Sequence, residues 1–292
     1  MTATAASVEA QAKVNLLLHV LAREEGGYHQ LETLFTRIEL TDSVRVATDT
    51  TAREVTSTGA DTGPMTRNLA FRAAEAFAAA ASWPRGFSIK VEKQIPVRGG
   101  LGGGSADAGA VLRVLNALAP RPLPDAAIAT IALGLGADVP FLATDLPMAL
   151  AWGRGERLLG LRSLPAREVL LCIPPFGVET SEAFAWMAEE RRDMALAAPA
   201  PLTMDDLDRW DGVVRRSAND LEAPVLRRHP VLAACLASLA AAGARIARMS
   251  GSGSTLFGVF DRRPPELEGL PAGVRVVHTR TTTSVPAVRM LD

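Results

Sequence analysis

The rhythm of apolar and polar positions divides the chain into strand-like and helix-like stretches. Val8–Val20, Thr33–Val46, Phe87–Glu92 and Val169–Ile173 alternate, or run apolar over a few residues, as strands do. The second of these predicts one or two strands. Asn68–Ala81 and Leu226–Ala242 carry helical spacing, the first with Asn68 as its cap and the second stopped by Gly243. Asp125–Leu135 predicts a further helix, interrupted at Gly134 and Gly136, and Val274–Thr279 the final strand.

The clearest junction lies between the Phe87–Glu92 strand and a helix that follows it. Pro96-Val97-Arg98-Gly99-Gly100-Leu101-Gly102-Gly103-Gly104-Ser105 has five glycines in six residues, then Ala108, Val111, Leu112, Leu115 and Leu118 at helical spacing. Strand, glycine loop and helix in this order present unpaired N–H groups to an anion, with phosphate the natural ligand. Ser105 is the expected N-cap. No Lys follows the glycines as in a Walker A loop, and Ser105 stands where a dinucleotide fingerprint needs glycine. A flexible turn without a ligand is the alternative. A second small-residue loop, Met249-Ser250-Gly251-Ser252-Gly253-Ser254-Thr255, sits between Arg245–Met249 and Leu256–Phe260.

Composition narrows the class of protein. The 292 residues are 48% hydrophobic, enough for a packed core, and two domains are expected with a boundary near Leu161–Pro165. A formal net charge of -1 argues against a general nucleic-acid binder and leaves room for a local basic pocket. The longest uncharged apolar runs, Ala126–Ala137 and Val231–Ala244, are shorter than the ~20 residues of a membrane span. The first residues lack the basic and apolar regions of a secretory signal, so the cytoplasm is expected. Cys172 and Cys235 are expected as buried free thiols, and no CxxC, HExxH or internal repeat occurs. The stretch Asp193–Asp211, rich in Ala, Pro and Asp, reads as a variable surface segment.

Five further residues stand out. Lys13 and Asn15 on one sheet face are costly unless they meet a ligand or a carboxylate, or lie solvated on an edge strand. Asp138 is the lone charge in Gly136-Ala137-Asp138-Val139-Pro140-Phe141 and is either a cap or a working carboxylate. Tyr28, the single tyrosine, adjoins His29 after Gly26-Gly27, a pairing suited to stacking on and hydrogen-bonding a planar base.

Taken together these stretches resemble the GHMP kinase superfamily. Ala12–Leu16 with Gly27–Thr33 is similar to its first block, Pro96–Ala108 to its phosphate loop and Met249–Phe257 to its third. Gly136–Phe141 and Asn219-Asp220-Leu221-Glu222 resemble stretches of a cytidine-recognising branch. The resemblance implies an α+β, two-domain fold, residues 1–163 and 164–292, with the active site in the interdomain cleft. It implies ATP on Pro96–Ser105, Mg²⁺ near the Ser105 hydroxyl, and the substrate on Asn15, Tyr28 and His29. Lys13 and Asp138 would be catalytic, Asp138 as the base that accepts the alcohol proton. The implied reaction moves the γ-phosphoryl of ATP onto the tertiary 2-hydroxyl of a cytidine-diphosphate derivative of methylerythritol, in isoprenoid precursor synthesis. No nucleic-acid or membrane partner is implied, and a monomer or weak homodimer is expected. Arg98 stands where the family loop carries a small residue, so it either reaches a phosphate or points to solvent. The competing readings are a superfamily kinase for another alcohol, a nucleotide sensor without turnover and, more distantly, a dinucleotide-dependent oxidoreductase.

Overall fold

A computed structural model of the chain describes residues 3–23, 29–191 and 200–291. The first half begins with two long antiparallel strands, β1 (Ala5–Arg23) and β2 (His29–Ala47), paired from Ala5↔Ala47 to Arg23↔His29 with register shifts at Gln11/Lys13, Asn15/Leu17 and Val20/Ala22. The Thr33–Val46 pattern thus lies within one long strand. β3 (Arg53–Thr58), α1 (Leu69–Ala81), β4 (Phe87–Glu92), α2 (Gly103–Leu118), α3 (Asp125–Leu135) and α4 (Val139–Leu142) follow. The Asn68 side chain accepts from the N–H of Ala70 at 2.9 Å, the capping that its position predicts. β5 (Met148–Gly153) and β6 (Arg157–Gly160) complete this half.

The second half holds β7 (Glu168–Ile173), α5 (Thr180–Glu190), α6 (Met204–Leu207), α7 (Trp210–Arg216), α8 (Glu222–Arg228), α9 (Val231–Ala241), β8 (Ile246–Met249), β9 (Leu256–Phe260), β10 (Arg275–Arg280) and β11 (Arg289–Leu291). β7 to β10 form a four-stranded sheet in the order β10-β7-β9-β8. β11 instead returns to the seven-stranded sheet of the first half and pairs with the start of β1. Val274–Thr279 is therefore not the last strand. A stretch as short as Arg289–Leu291 carries too little alternation to be read.

One further expectation is corrected and another refined. The stretch Leu226–Ala242 is two helices, because Pro230 lacks an N–H and pushes His229 to φ -127°, ψ 71°. The described part of the segment 193–211 includes α6, with Thr203 and Asp206 forming a capping box and Asp206 and Leu207 buried; residues 193–199 lie outside the described residues. Both cysteines are free and buried, and α9 brings Cys235 against Cys172 of β7, a contact that with burial raises the Cys172 thiol pKa. Among the described residues no helix is long and apolar enough to cross a membrane.

Candidate active site

The glycine loop closes over β1 and is held there by backbone bonds. Lys13 N–H donates to Leu101 O at 3.0 Å, and Thr255 N–H donates to Gly99 O at 3.2 Å. Ser250, from the second small-residue loop, donates its hydroxyl to Gly100 O at 2.9 Å. Gly100 has φ +75°, and a Cβ there would lie 2.0 Å from Ser250 O, so the two loops touch backbone to backbone. The N-cap of α2 is Gly102, at φ 72°, and not Ser105. Ser105 sits in the first turn of α2 and lines the cleft. The left-handed cap needs glycine, and one turn of helix moves the hydroxyl from the cap to the cleft wall.

The cleft beneath this loop encloses about 500 Å³, and every residue of Pro96–Ser105 lines it. Its walls also include Lys13, Asn15 and Asp138 from the first half and Thr180, Phe184 and Gly251 from the second. Lys13 and Asn15 do share a face, and both are buried, which removes the solvated-edge alternative. Lys13 Nζ donates to Asn15 Oδ1 at 2.7 Å and to Gly100 O at 3.0 Å, and lies 3.3 Å from Asp138 Oδ2. Asn15 in turn donates to Thr33 Oγ1 at 2.8 Å, whose hydroxyl donates to Leu17 O at 2.7 Å. That chain of donors orients the amide so that its oxygen faces the ammonium. Asp138 occupies the N-cap position of α4 but makes no side-chain cap bond, and it is 30% exposed toward the cleft.

On the other side of the loop, Lys93 donates to the buried carboxylates of Asp42 and Asp107. Asp42 also accepts the N–H groups of Gln94 and Ile95, so the entry to the loop is pinned to β2. Burial pushes the Asp107 carboxyl up to about 7, against the pull of Lys93, and Asp42 adds to the rise. Sequence reading missed this triad, whose three residues are scattered over β2, the end of β4 and α2. Asn219, picked out in the sequence only as part of Asn219-Asp220-Leu221-Glu222, donates to Met249 O and Gly251 O, both at 2.8 Å, and so clasps the second small-residue loop.

The expected substrate residues fare differently. His29 stacks on Phe184 of α5, ring centroids 4.7 Å apart and planes inclined by 19°. Phe184 lines the cleft from α5, a helix that the sequence reading did not single out. Tyr28 lies outside the described residues. Arg98, at φ 58°, is exposed and pairs with Glu179 at 3.1 Å. Among the described residues no group of three or more His, Cys, Asp or Glu side chains could hold a metal ion.

A glycine-cradled anion site beside a buried lysine and a cleft-facing carboxylate is a phosphoryl-transfer arrangement, and the comparisons agree. The family of GHMP kinase N-terminal domains matches residues 68–145, and that of GHMP kinase C-terminal domains matches residues 204–268. Over 293 residues the chain is 41% identical to 4-diphosphocytidyl-2-C-methyl-D-erythritol kinase of Anaeromyxobacter sp. strain K, covering 96% of this chain and 91% of that protein. The chain belongs to the GHMP kinase family, and its family implies the use of ATP. The enzyme of the same name from Rhizobium johnstonii is 40% identical over 258 residues, covering 86% of this chain and 83% of the other. A crystal structure of 4-(cytidine 5'-diphospho)-2C-methyl-D-erythritol kinase matches with a TM-score of 0.73 at 34% identity, covering 94% of this chain and 99% of that one. Homoserine kinase from Cytophaga hutchinsonii shares the fold, with a TM-score of 0.68 at 15% identity over 99% of this chain and 98% of the other.

Proposed function

We propose that this chain transfers the γ-phosphoryl group of ATP to the tertiary 2-hydroxyl of 4-diphosphocytidyl-2-C-methyl-D-erythritol, a step of non-mevalonate isoprenoid precursor synthesis. The observation that carries the reading is the 3.3 Å approach of Lys13 Nζ to Asp138 Oδ2 at the floor of the glycine-loop cleft. The identity to relatives of that name supports the choice of substrate.

In this reading the active site is the cleft between the halves 1–163 and 164–292. The loop Pro96–Ser105 takes the ATP phosphates on its N–H groups and the start of α2. Asp138 accepts the proton of the 2-hydroxyl as the new O–P bond forms and the bond to the bridging oxygen of ADP breaks. Lys13, 3.3 Å from Asp138, neutralises charge on the transferring group, and Asn15 holds Lys13 in place. His29 and Tyr28, joined by Phe184, receive the cytosine end. The hard oxygen of the Ser105 hydroxyl suits Mg²⁺, and with no metal-binding carboxylate cluster among the described residues the ion would take its other ligands from phosphates and water. Bound there, Mg²⁺ supplies charge neutralisation to the phosphates. Dependence on ATP supports a cytoplasmic setting, and nothing in the reading calls for a nucleic-acid or membrane partner or for more than a monomer or weak homodimer.

The test is ATP consumption with Mg²⁺ and the cytidine substrate, against mevalonate and homoserine. Turnover confined to the cytidine substrate is expected. Turnover with either control instead assigns a different alcohol, and ATP binding without turnover assigns a sensor.

A further inference from the structure

Arg37 is a fully buried cation that the reaction described above does not use. It stands on β2 directly opposite Lys13, and among the described residues no carboxylate pairs with it. Its guanidinium is spent on carbonyl oxygens: Nε donates to Leu146 O at 2.9 Å, and Nη2 to Phe141 O, Leu142 O and Thr144 O at 3.0, 3.2 and 2.8 Å. Phe141 and Leu142 end α4 and Thr144 and Leu146 lie just beyond it, so the guanidinium gathers carbonyls where the helix gives way to the following turn; Phe141 O also accepts the N–H and the hydroxyl of Thr144, at 3.1 and 2.7 Å. The guanidinium carbon also lies 4.9 Å from the centroid of Phe141, which stacks on Phe35 at 5.0 Å, and Lys13 Nζ lies 5.5 Å from Phe35.

The four-residue α4 is thus gripped by a cation at each end. Lys13 holds Asp138 at its start, and Arg37 gathers the carbonyls at its finish. The residue before Asp138 is braced as well, because a Cβ on Gly155, which has φ +101°, would lie 2.3 Å from Ala137 O. Four residues of helix have no stability of their own, so the position of Asp138 is set by these contacts.

We propose that Arg37 is a positioning residue for Asp138, fixing α4 so that the carboxylate stands at the cleft floor beside Lys13. The inference rests on the reading of Asp138 as the base. The demand on Arg37 is visible in its own chemistry: burial first, then the neighbouring Arg113 cation, draw its pKa down to about 9, with Asp145 opposing. An unpaired buried charge is costly. A planar fork of donors reaches several carbonyls at once, which an ammonium cannot do.

The experiment compares Arg37→Met, Arg37→Lys, Asp138→Asn and the Arg37→Met/Asp138→Asn double variant. kcat is expressed per ATP-binding site counted by calorimetric titration, so that loss of folded protein does not register. Arg37→Met is expected to lower kcat about 10²-fold, the scale of a misplacement near 1 Å, with KM for ATP within about twofold of the parent. Arg37→Lys should lose about tenfold. The double variant should be no slower than Asp138→Asn alone, since Arg37 acts through that carboxylate. Parental kcat in Arg37→Met, a loss confined to the KM for ATP, or multiplied losses in the double variant would overturn the proposal. If Arg37→Met does not fold, Arg37→Lys decides, and parental kcat per site there overturns it too. Asp138→Asn at parental kcat would instead remove the base reading and this proposal with it.

Discussion

Two buried lysines flank the glycine loop, and they differ in what their charge faces. Lys13 and Lys93 have the same side-chain exposure, 3%. Lys93 borders the same cleft but is paired with two carboxylates, Asp42 and Asp107, themselves 0% and 6% exposed. Lys13 is held by an amide oxygen, a carbonyl and one carboxylate that is 30% exposed. The same residue type at the same depth therefore forms a knot in one place and an open charge in the other. Burial alone does not distinguish a structural cation from one available to a ligand; the exposure of its partners does.

The largest expected effect tests the open side. Lys13→Met should lower kcat by roughly 10²–10³-fold, the scale for removing one donor aimed at developing charge. Its stability should change little, because Asp138 can turn to water. A Lys13→Met protein with parental turnover would break the contrast at once. Asp138→Asn belongs to the same class of effect, about 10²–10⁴-fold in kcat with ATP binding retained.

Lys93→Met probes the closed side, and here the expected loss is of stability. Removing one member of a buried ionic cluster costs about 3–5 kcal/mol, reduced where a carboxyl takes up a proton. Denaturant titration of both lysine variants reads the difference directly. If Lys93→Met melts with the parent while Lys13→Met unfolds, the assignment of the two lysines is reversed.

Tyr28→Ala tests the proposed recognition of the cytosine end. It should raise KM for the cytidine substrate well above its effect on ATP, and equal effects on both would reduce Tyr28 to a support of the fold.

The smallest effect concerns a carboxylate that ties the halves of the chain together. Burial alone would raise the Asp220 pKa, but His19, the N–H of Val20 and Arg191 together hold it at about 2. A depressed carboxylate contributes stability above its unfolded value near 4 and loses it as pH falls through about 2. Asp220→Asn should therefore lower the melting temperature at neutral pH, and the gap to the parent should close as pH falls from about 4 to about 2. A gap that is constant with pH would mean that the charge of Asp220 contributes nothing.

Much of this was legible along the chain because it is local. The glycine loop entering a helix, the Lys13–Asn15 alternation and the Asn68 cap each need only a few neighbouring residues to be recognised. The family motifs are local in the same sense. Boundaries were less legible: Ser105 met every rule for an N-cap, yet the left-handed turn at Gly102 starts the helix earlier. Pro230 divides a stretch whose spacing is helical throughout.

What the sequence determined by itself was the main strands and helices around the glycine loop and the residue types that chemistry requires. The tertiary structure alone decided which charges meet. Asp138 reaches Lys13 because α4 lies against α2 and α3 with Phe141 stacked on Phe35 of β2, Lys93 finds Asp42 and Asp107 across β2 and α2, and Arg37 finds four carbonyls and, among the described residues, no paired carboxylate. Periodicity is a property of neighbours a few residues apart, whereas the energy of a buried charge depends on every group within a few ångströms, whatever its place in the chain.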